Sequence, residues 1–472
     1  MPDCYNLLIY NIKLERMRKF LFVLFVLMIA FTACKDKKNR NKEIATPVPV
    51  FKTPQVVPWA KDAVIYEVNV RQYTQAGTFN AFANHLPRLK ELGVDILWFM
   101  PIQPISEKNK KGSLGSYYAV QDYQKVNPEF GTMDDFKALV KKAHEMGFKV
   151  ILDWVANHTG WDNWLIVEHE EWYTQINDSV IAPVADWTDV ADLNYEQPGL
   201  RQYMIESMKF WVKEADIDGY RCDVAAMVPT DFWEEARMAL DSLKPVFMLA
   251  EAWEPELTAT AFDACYAWDL LHTMNDIAAG KKTAAALPAY FHQVDSMYAP
   301  RTILMNFLTN HDENSWNGTI NERFGDMQKA FAVLTYTVPG MPLVYSGQEV
   351  GLNHRLEFFE KDEIKWSDDK KLTAFYTQLD KLKHQNPALW AGIEAGKMRI
   401  LHTTAPEQVF AFTRTNGDNE LLVILNLSRK NVSFKFEEMP LNSYVDAFTG
   451  KDAALSTPFK MQPTEYKVFL KK

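Results

Sequence analysis

Cysteine is scarce in this sequence, and basic residues are fewer than acidic ones. The four cysteines, Cys4, Cys34, Cys222 and Cys265, show neither paired spacing nor the spacing of metal ligands. A disulfide framework is therefore not expected. The 51 Lys and Arg residues face 61 Asp and Glu, which gives a net charge of −10. Nucleic acid is thus not an expected partner, because binding to a phosphate backbone requires a basic surface.

Two further absences narrow the class of protein. No Gly-rich phosphate loop follows the first predicted strand, so a dinucleotide-binding fold has no support. The apolar run at residues 20–31 is shorter than the ~20 residues that a membrane-spanning helix needs. Tryptophan, by contrast, is abundant, with 14 residues. Indole rings either pack in cores, which is the commoner use, or bind flat ligands such as sugars.

The N-terminal residues are typical of an export signal. A basic segment begins at Met17, the apolar run follows, and Thr32 and Ala33 precede Cys34. Small residues before Cys resemble the lipobox of bacterial lipoproteins. We therefore expect an upstream extension and a lipoprotein signal peptide at 1–34, and a charged, proline-punctuated tether at 35–58. The expected location is outside the cytoplasm, anchored through lipidated Cys34 to a bacterial membrane on its periplasmic or cell-surface side. Ordinary secretion or an uncleaved anchor is the alternative.

From residue 59 onward, apolar strand-like runs alternate with amphipathic helical patterns. The strand-like runs are 63–70, 94–99, 149–152, 217–223, 246–250, 302–307 and 342–345. This alternation predicts a parallel sheet covered on both faces. About eight such units favour an α/β fold of the (β/α)8 TIM barrel type at 59–396 over an open doubly wound sheet.

Two segments depart from this alternation. Residues 158–194 interrupt it after the third strand and carry four tryptophans, which predicts a small inserted domain. Residues 397–472 contain short strand-like runs with no helical pattern between them. They predict a C-terminal antiparallel β-sandwich.

Polar side chains cluster where the predicted barrel strands end, which is where barrel enzymes place their chemistry. Asp153, Asn157 and His158 follow the third strand, Arg221 and Asp223 lie on the fourth, Glu251 follows the fifth, and His311 and Asp312 follow the seventh. Residues two apart in a strand point the same way, so Arg221 should lower the pKa of Asp223 and keep it ionised. Glu251 follows an apolar run and should have a raised pKa. For Arg221 and Asp223 alone, a purely structural ion pair is the alternative.

Four stretches together resemble the signature regions of the α-amylase family of glycoside hydrolases. They are DWVANH (153–158), GYRCD (219–223), AEAW (250–253) and FLTNHD (307–312), in the family's order. DLN at 192–194 and GQE at 347–349 are similar to two further signatures. The resemblance implies a retaining hydrolase of α-glucosidic bonds in starch-like α-glucans or maltooligosaccharides.

The resemblance also implies roles for individual residues. Asp223 would be the nucleophile, Glu251 the general acid/base and Asp312 the stabiliser of the transition state. Tyr118, His158, Arg221 and His311 would bind the sugar in the cleavage subsite or position Asp223. Asn157 and Asp192 match positions that hold a structural Ca²⁺ in many relatives, although other relatives lack the ion.

One departure from the family pattern bears on substrate choice. Apolar residues 224–227 follow Asp223, where many α-amylases carry a Lys-His pair that binds the chain beyond the cut. A smaller oligosaccharide or a different bond specificity is therefore favoured. Two alternatives stay open: an exo-acting α-glucosidase or transglycosylase with the same catalytic residues, and a catalytically silent glucan-binding scaffold.

Overall fold

The computed structural model describes residues 57–472 except 368, 369, 441, 454 and 456. The predicted signal peptide, Cys34 and most of the predicted tether lie outside the described residues. Within the described ranges, no helix is both long enough and apolar enough to cross a membrane.

Eight parallel strands form a closed barrel, which confirms the predicted TIM barrel. They are β1 (Ile65–Val68), β2 (Ile96–Phe99), β3 (Lys149–Trp154), β4 (Gly219–Cys222), β5 (Phe247–Ala250), β6 (Ala264–Tyr266), β7 (Ile303–Phe307) and β8 (Met341–Tyr345). Each strand pairs with its neighbours in sequence, and β1 pairs with β8 through Ile65 opposite Leu343. The three-residue strand β6 was not predicted, because so short a run leaves no periodic signal.

Helices surround the barrel. The main ones are α1 (Leu86–Leu92), α2 (Met133–Glu145), α3 (Pro198–Ala215), α4 (Thr230–Asp241), α5 (Pro255–Thr260), α6 (Trp268–Ala278), α7 (Ala286–Met297), α8 (Gln328–Thr337) and α9 (Lys370–Gln385). Short helices span Val70–Tyr73, Phe79–Ala83 and Ile320–Phe324. Helix α2 shows how the sequence specifies these elements. It begins with a capping box between Thr132 and Asp135. Phe136, Leu139, Val140 and Ala143 recur at helical spacing and are buried.

The inserted domain lies between β3 and α3. His158–Gly160 pairs with Val190–Asp192, and Gln175–Ile176 pairs with Ser179–Val180. A short helix, Leu165–Glu168, connects these small sheets. The first pairing places His158 directly at the end of the barrel, opposite Asp192.

The C-terminal residues form two antiparallel sheets, as predicted for a sandwich. The strands are β9 (Lys397–Leu401), β10 (Val409–Asn416), β11 (Asn419–Asn426), β12 (Val432–Phe434), β13 (Tyr444–Asp446), β14 (Phe459–Met461) and β15 (Tyr466–Lys471). A five-stranded sheet has the order β9-β10-β11-β15-β13, and β12 pairs with β14. Alternate residues of the five-stranded sheet point to opposite faces. Phe412 and Val423 belong to the same core as the barrel, while Leu422 and Ile424 pack with Phe434 in a second core.

Gly219 determines how closely β4 can approach β5. Its φ is 156°, and a Cβ placed on it would lie 1.9 Å from the carbonyl oxygen of Phe247. No side chain can occupy that space without moving the backbone of β5. Because β4 carries Arg221 and leads into Asp223, this glycine positions both side chains.

We predict that Gly219→Ala destabilises the protein strongly, because the new methyl group meets backbone rather than a flexible side chain. The loss should exceed the ~1–3 kcal/mol typical of overpacking. Gly280→Ala is the matched control, since Gly280 also has a positive φ (72°) but no described atom lies within 4 Å of a Cβ placed on it. That variant should lose only the ~1–2 kcal/mol of a left-handed backbone. Thermal unfolding of both variants measures the difference, and equal losses would contradict a steric role for Gly219.

Candidate active site

A single guanidinium connects the carboxylates at the ends of three neighbouring strands. Arg221 on β4 is fully buried. Its Nη1 donates to Asp153 Oδ1 at 2.7 Å and to Asp223 Oδ1 at 3.1 Å. Its Nη2 lies 2.9 Å from Glu251 Oε2. Since Asp153 lies near the end of β3, Asp223 follows β4 and Glu251 follows β5, Arg221 brings these carboxyl groups together.

Glu251 receives a second contact from a strained turn. The backbone N–H of Val224 donates to Glu251 Oε2 at 2.8 Å. Val224 has φ 35° and ψ 47°, a left-handed conformation that β-branched residues rarely adopt. Such strain is concentrated at functional sites, where the surrounding structure imposes it. Here the left-handed conformation directs the N–H of Val224 toward Glu251, the predicted acid/base.

His311 and Asp312 follow β7 and form the opposite wall of the site. His311 Nε2 lies 3.2 Å from Asp312 Oδ2 and 2.8 Å from the hydroxyl of Tyr118. Its Nδ1 hydrogen-bonds to the buried carboxylate of Glu67 on β1. The hydroxyl of Tyr118 also donates to Asp153 Oδ2 at 3.0 Å. Hydrogen bonds therefore link the ends of β1, β3 and β7 with the loop after β2.

A π-helical turn at Glu313–Asn317 fixes the position of Asp312. The backbone N–H of Glu313 donates to Asn310 Oδ1 at 2.8 Å, and the Glu313 carboxylate pairs with Arg323 at 2.9 Å. π-Helical turns are rare and occur mostly at functional sites.

Burial has the largest effect on the pKa values of Asp223 and Glu251, the two carboxyls that both contact Arg221. Burial raises the pKa of Glu251, as predicted. Burial and the nearby Glu251 charge also raise the pKa of Asp223 well above its ordinary value, although Arg221 opposes this. Arg221 does lower the pKa of Asp223, but the expectation that this pKa would lie below its ordinary value was wrong, because the sequence could not show how deeply Asp223 is buried or how closely Glu251 approaches it. The two carboxyls together hold a proton more tightly than either would alone.

The other titratable groups have different surroundings. Burial raises the pKa of Asp312, but His311, Arg221 and Trp316 outweigh it and hold that pKa below its ordinary value. Burial lowers the pKa of His311, but Asp312 and Glu67 raise it well above the ordinary value. Burial lowers the pKa of His158 to about 3, so this imidazole is neutral near pH 7. His158 Nε2 lies 4.0 Å from Asp223 Oδ2.

All seven residues predicted for catalysis and sugar binding lie in one cluster. They are Asp223, Glu251, Asp312, Tyr118, His158, Arg221 and His311. Glu67, Tyr266 and the contacts of Asp153 with Arg221 and Tyr118 were not predicted from the sequence. Glu67 gave a signal, since it is a carboxylate within an otherwise apolar strand. Tyr266, whose hydroxyl accepts from Arg221 Nε at 3.1 Å, lies on the unpredicted strand β6.

The predicted calcium residues do not form a complete metal site. Asn157 Nδ2 contacts His158 Nδ1 at 3.3 Å, and the Asp192 carboxylate hydrogen-bonds to Thr174. Among the described residues, no group of three or more His, Cys, Asp or Glu side chains could hold a metal. Ca²⁺ takes six to eight oxygen ligands, which two side chains do not supply. Calcium binding stays a prediction from the family resemblance, and backbone carbonyls and water would have to supply the ligands beyond Asn157 and Asp192.

Chelation tests this point. A bound ion would stabilise the folded state by mass action. Because the described residues offer no cluster of three or more His, Cys, Asp or Glu ligands, we expect the melting temperature to be unchanged after dialysis against EDTA and after readdition of Ca²⁺. A drop in melting temperature on chelation that Ca²⁺ reverses and Mg²⁺ does not would contradict this expectation. Asp192→Asn should then reproduce the drop.

The fold and the site together define a class of enzyme. Carboxylates that are buried or partly buried at the C-terminal ends of β4, β5 and β7 in a (β/α)8 barrel are suited to acid/base and nucleophilic catalysis. The family profile described as "Alpha amylase, catalytic domain" matches residues 66–189 and 184–404. The profile "Maltogenic Amylase, C-terminal domain" matches residues 398–467. The chain therefore belongs to the α-amylase family of glycoside hydrolases.

Several solved and curated relatives are similar over most of this chain. A noncanonic maltogenic α-amylase from Thermotoga neapolitana is 30% identical with a TM-score of 0.80, covering 87% of this chain and 98% of that one. An α-amylase from Lactobacillus plantarum is 31% identical with a TM-score of 0.78 and the same coverage. The α-amylase MalA of Haloarcula japonica is 28% identical over 385 residues, which are 78% of this chain. The matched region spans only 56% of the length of that enzyme.

Proposed function

We propose that this protein is a retaining hydrolase of α-glucosidic bonds that acts on maltooligosaccharides and related short α-glucans. The observation that carries the proposal is the contact of one buried guanidinium with both Asp223 and Glu251. It supports a pair of adjacent carboxyl groups, the arrangement that retaining glycosidases use when their carboxyls are ~5 Å apart.

The proposed chemistry proceeds in two steps. Protonated Glu251 gives its proton to the glycosidic oxygen, while the Asp223 carboxylate attacks the anomeric carbon and the leaving sugar departs. Glu251, now ionised, takes a proton from water, whose oxygen attacks the anomeric carbon and releases Asp223. The two carboxyls hold a proton between them, and the first step requires that proton to be on Glu251. The hydrogen bond from Arg221 to Asp223 Oδ1 favours that arrangement, because it stabilises the negative charge of Asp223. Ionised Asp312 and the charged imidazole of His311 would bind sugar hydroxyls.

Short substrates are favoured over long starch chains for two reasons. The turn after Asp223 is apolar, and Met227 is exposed there, so the cation that would bind a longer chain is missing from this turn. Relatives include enzymes named cyclomaltodextrinase, from Bacillus sp. at 26% identity, and neopullulanase, from Thermoactinomyces vulgaris at 25% identity. An exo-acting glucosidase or transglycosylase would use the same residues. A silent scaffold is disfavoured, because Asp223, Glu251 and Asp312 are all present and buried or partly buried.

The product profile tests the proposal. We expect the soluble chain lacking residues 1–34 to cut maltoheptaose into mixed short maltooligosaccharides, and Asp223→Asn to abolish this cutting. Asp326→Asn is the matched control, since Asp326 pairs with Arg429 on the surface and should leave the rate unchanged. Pullulan as a parallel substrate distinguishes α-1,6 from α-1,4 cleavage. Proton NMR of fresh digests should show the α anomer first.

Other outcomes would contradict the proposal in recognisable ways. Glucose as the sole product would indicate exo action, and longer oligosaccharides than the starting one would indicate transglycosylation. Measurable binding without cleavage would favour the scaffold. A β anomer formed first would contradict the retaining mechanism.

We also propose that the protein is exported and lipid-anchored through Cys34. The support is the sequence pattern at residues 17–34, which lies outside the described residues. In a bacterial host, the full chain should fractionate with membranes and incorporate radiolabelled palmitate, and Cys34→Ala should lose the label. Cys222→Ala is the control, since that cysteine is buried and should not affect labelling. Palmitate labelling that persists in the Cys34 variant would contradict the proposal.

A further inference from the structure

An exposed tryptophan lies four residues after Asp312. The side chain of Trp316 is 53% exposed, the highest value for any tryptophan in the described part of the chain. It sits on the π-helical turn Glu313–Asn317. A single exposed apolar side chain is ordinary, but this indole hydrogen-bonds to Asp312 and contacts further aromatic rings, so it offers a flat apolar face beside the site.

Two phenylalanines pack against this indole. Its ring centroid lies 5.5 Å from that of Phe358 and 5.9 Å from that of Phe359. Phe358 in turn is nearly parallel to Tyr118, at 6.1 Å and 15°, and lies 6.2 Å from His311. Tyr118, Phe358, Phe359 and Trp316 therefore form one continuous aromatic surface. It runs from the cleavage subsite outward to Trp316.

The loops that carry these rings are connected by hydrogen bonds. Asn314 Nδ2 donates to the carbonyl of His354 at 3.0 Å, and its Oδ1 accepts from the N–H of Leu356 at 2.9 Å. The hydroxyl of Ser315 donates to the carbonyl of Leu356 at 2.8 Å. The N–H of Leu114 donates to the carbonyl of Phe359 at 3.0 Å. The aromatic surface is thus held in place by the loops after β2, β7 and β8 before any sugar binds.

The position of these loops identifies which part of a substrate would reach them. Glu251 follows β5 and must lie beside the leaving oxygen, so the leaving sugars extend on that side. Phe358, from the loop after β8, meets Tyr118, from the loop after β2, across the end of β1. In the strand order of the barrel, β1 lies opposite β5. Trp316 itself is on the loop after β7, but it contacts Phe358 and Phe359 and so continues their aromatic surface, which begins on the side of the sugars that remain bound to Asp223.

We propose that Trp316, backed by Phe358 and Phe359, is a stacking platform for a glucose residue on the non-reducing side of the cleaved unit. This inference rests on the proposed function. The apolar face of a glucose ring and an exposed indole face bury each other from water. Trp316 thus gives maltooligosaccharides an advantage over substrates that fill only the cleavage subsite.

The test compares two substitutions at Trp316 on substrates of different length. Trp316→Ala removes the ring, and Trp316→Phe keeps an aromatic face but removes the N–H that hydrogen-bonds to Asp312. Trp164→Ala is the matched control, because Trp164 is also exposed but lies on the inserted domain against His169 and Tyr203. kcat/KM is measured on α-glucosyl fluoride, maltotriose and maltoheptaose. Calorimetric binding of maltoheptaose is measured separately in the Asp223→Asn background.

The expected result is a loss that depends on substrate length. Trp316→Ala should lower kcat/KM on maltotriose and maltoheptaose about tenfold and on α-glucosyl fluoride less than about threefold, with most of the loss in KM. Trp316→Phe should retain most of the activity on all three substrates, and Trp164→Ala should match the unsubstituted enzyme.

Three results would overturn the platform. Equal losses on every substrate for both Trp316 variants would mean that this residue acts only through Asp312. An unchanged kcat/KM in Trp316→Ala would mean that no sugar stacks there. Maltoheptaose binding in the Asp223→Asn background that is insensitive to Trp316→Ala would overturn it as well. If the unsubstituted enzyme cleaved no oligosaccharide but Trp316→Ala still weakened binding, the platform would stand and the proposed hydrolase would fail.

Discussion

The site depends on the buried guanidinium of Arg221. A guanidinium in the barrel interior is tolerated only if its donors are paired, and removing one partner of such a buried pair costs about 3–5 kcal/mol. Here Nη1 donates to Asp153 and Asp223, and Nε donates to the hydroxyl of Tyr266. Nη2 lies 2.9 Å from Glu251 Oε2 as an ion pair but makes no hydrogen bond. The same ion pairs that compensate the charge of the buried cation therefore position the groups that would carry out glycoside cleavage. Stability and catalysis are coupled at this residue.

The register of the barrel makes this pairing possible. Asp153 lies opposite Arg221 in the pairing of β3 with β4, and Arg221 lies opposite Leu249 in the pairing of β4 with β5, two residues before Glu251. Gly219 allows β4 and β5 to approach each other closely enough for these contacts. The loops after β2, β7 and β8 then close the other side with Tyr118, His311 and the aromatic surface that leads to Trp316. The barrel end thus presents Arg221 and its carboxylates on one side, and the His311–Asp312 pair with the aromatic rings on the other.

Much of this arrangement could be predicted from the sequence, because the relevant signals are local. Asp223, Glu251 and Asp312 each follow an apolar run within a short contiguous motif, so strand ends and candidate carboxylates were found together. The remaining features depend on contacts between distant residues. Glu67 and His311 are 244 positions apart, and nothing in either segment indicates the other. The raised pKa of Asp223 depends on its distance from Glu251, and the left-handed turn at Val224 depends on the packing around it. Phe358 lies in an irregular loop, where no periodic pattern marks an aromatic that reaches the site.

In the proposed mechanism Asp223 is the nucleophile, and Arg221 and Glu251 surround it. Trapping the covalent intermediate would identify the attacking residue. The soluble enzyme would be incubated with 5-fluoro-α-glucosyl fluoride, denatured in acid, digested with pepsin and analysed by mass spectrometry. We expect a fluoroglucosyl adduct on Asp223 that builds up more in Glu251→Gln, because the activated fluoride leaving group starts the reaction without an acid. A label on Glu251 or Asp312, or turnover to an inverted product without any adduct, would contradict this role for Asp223.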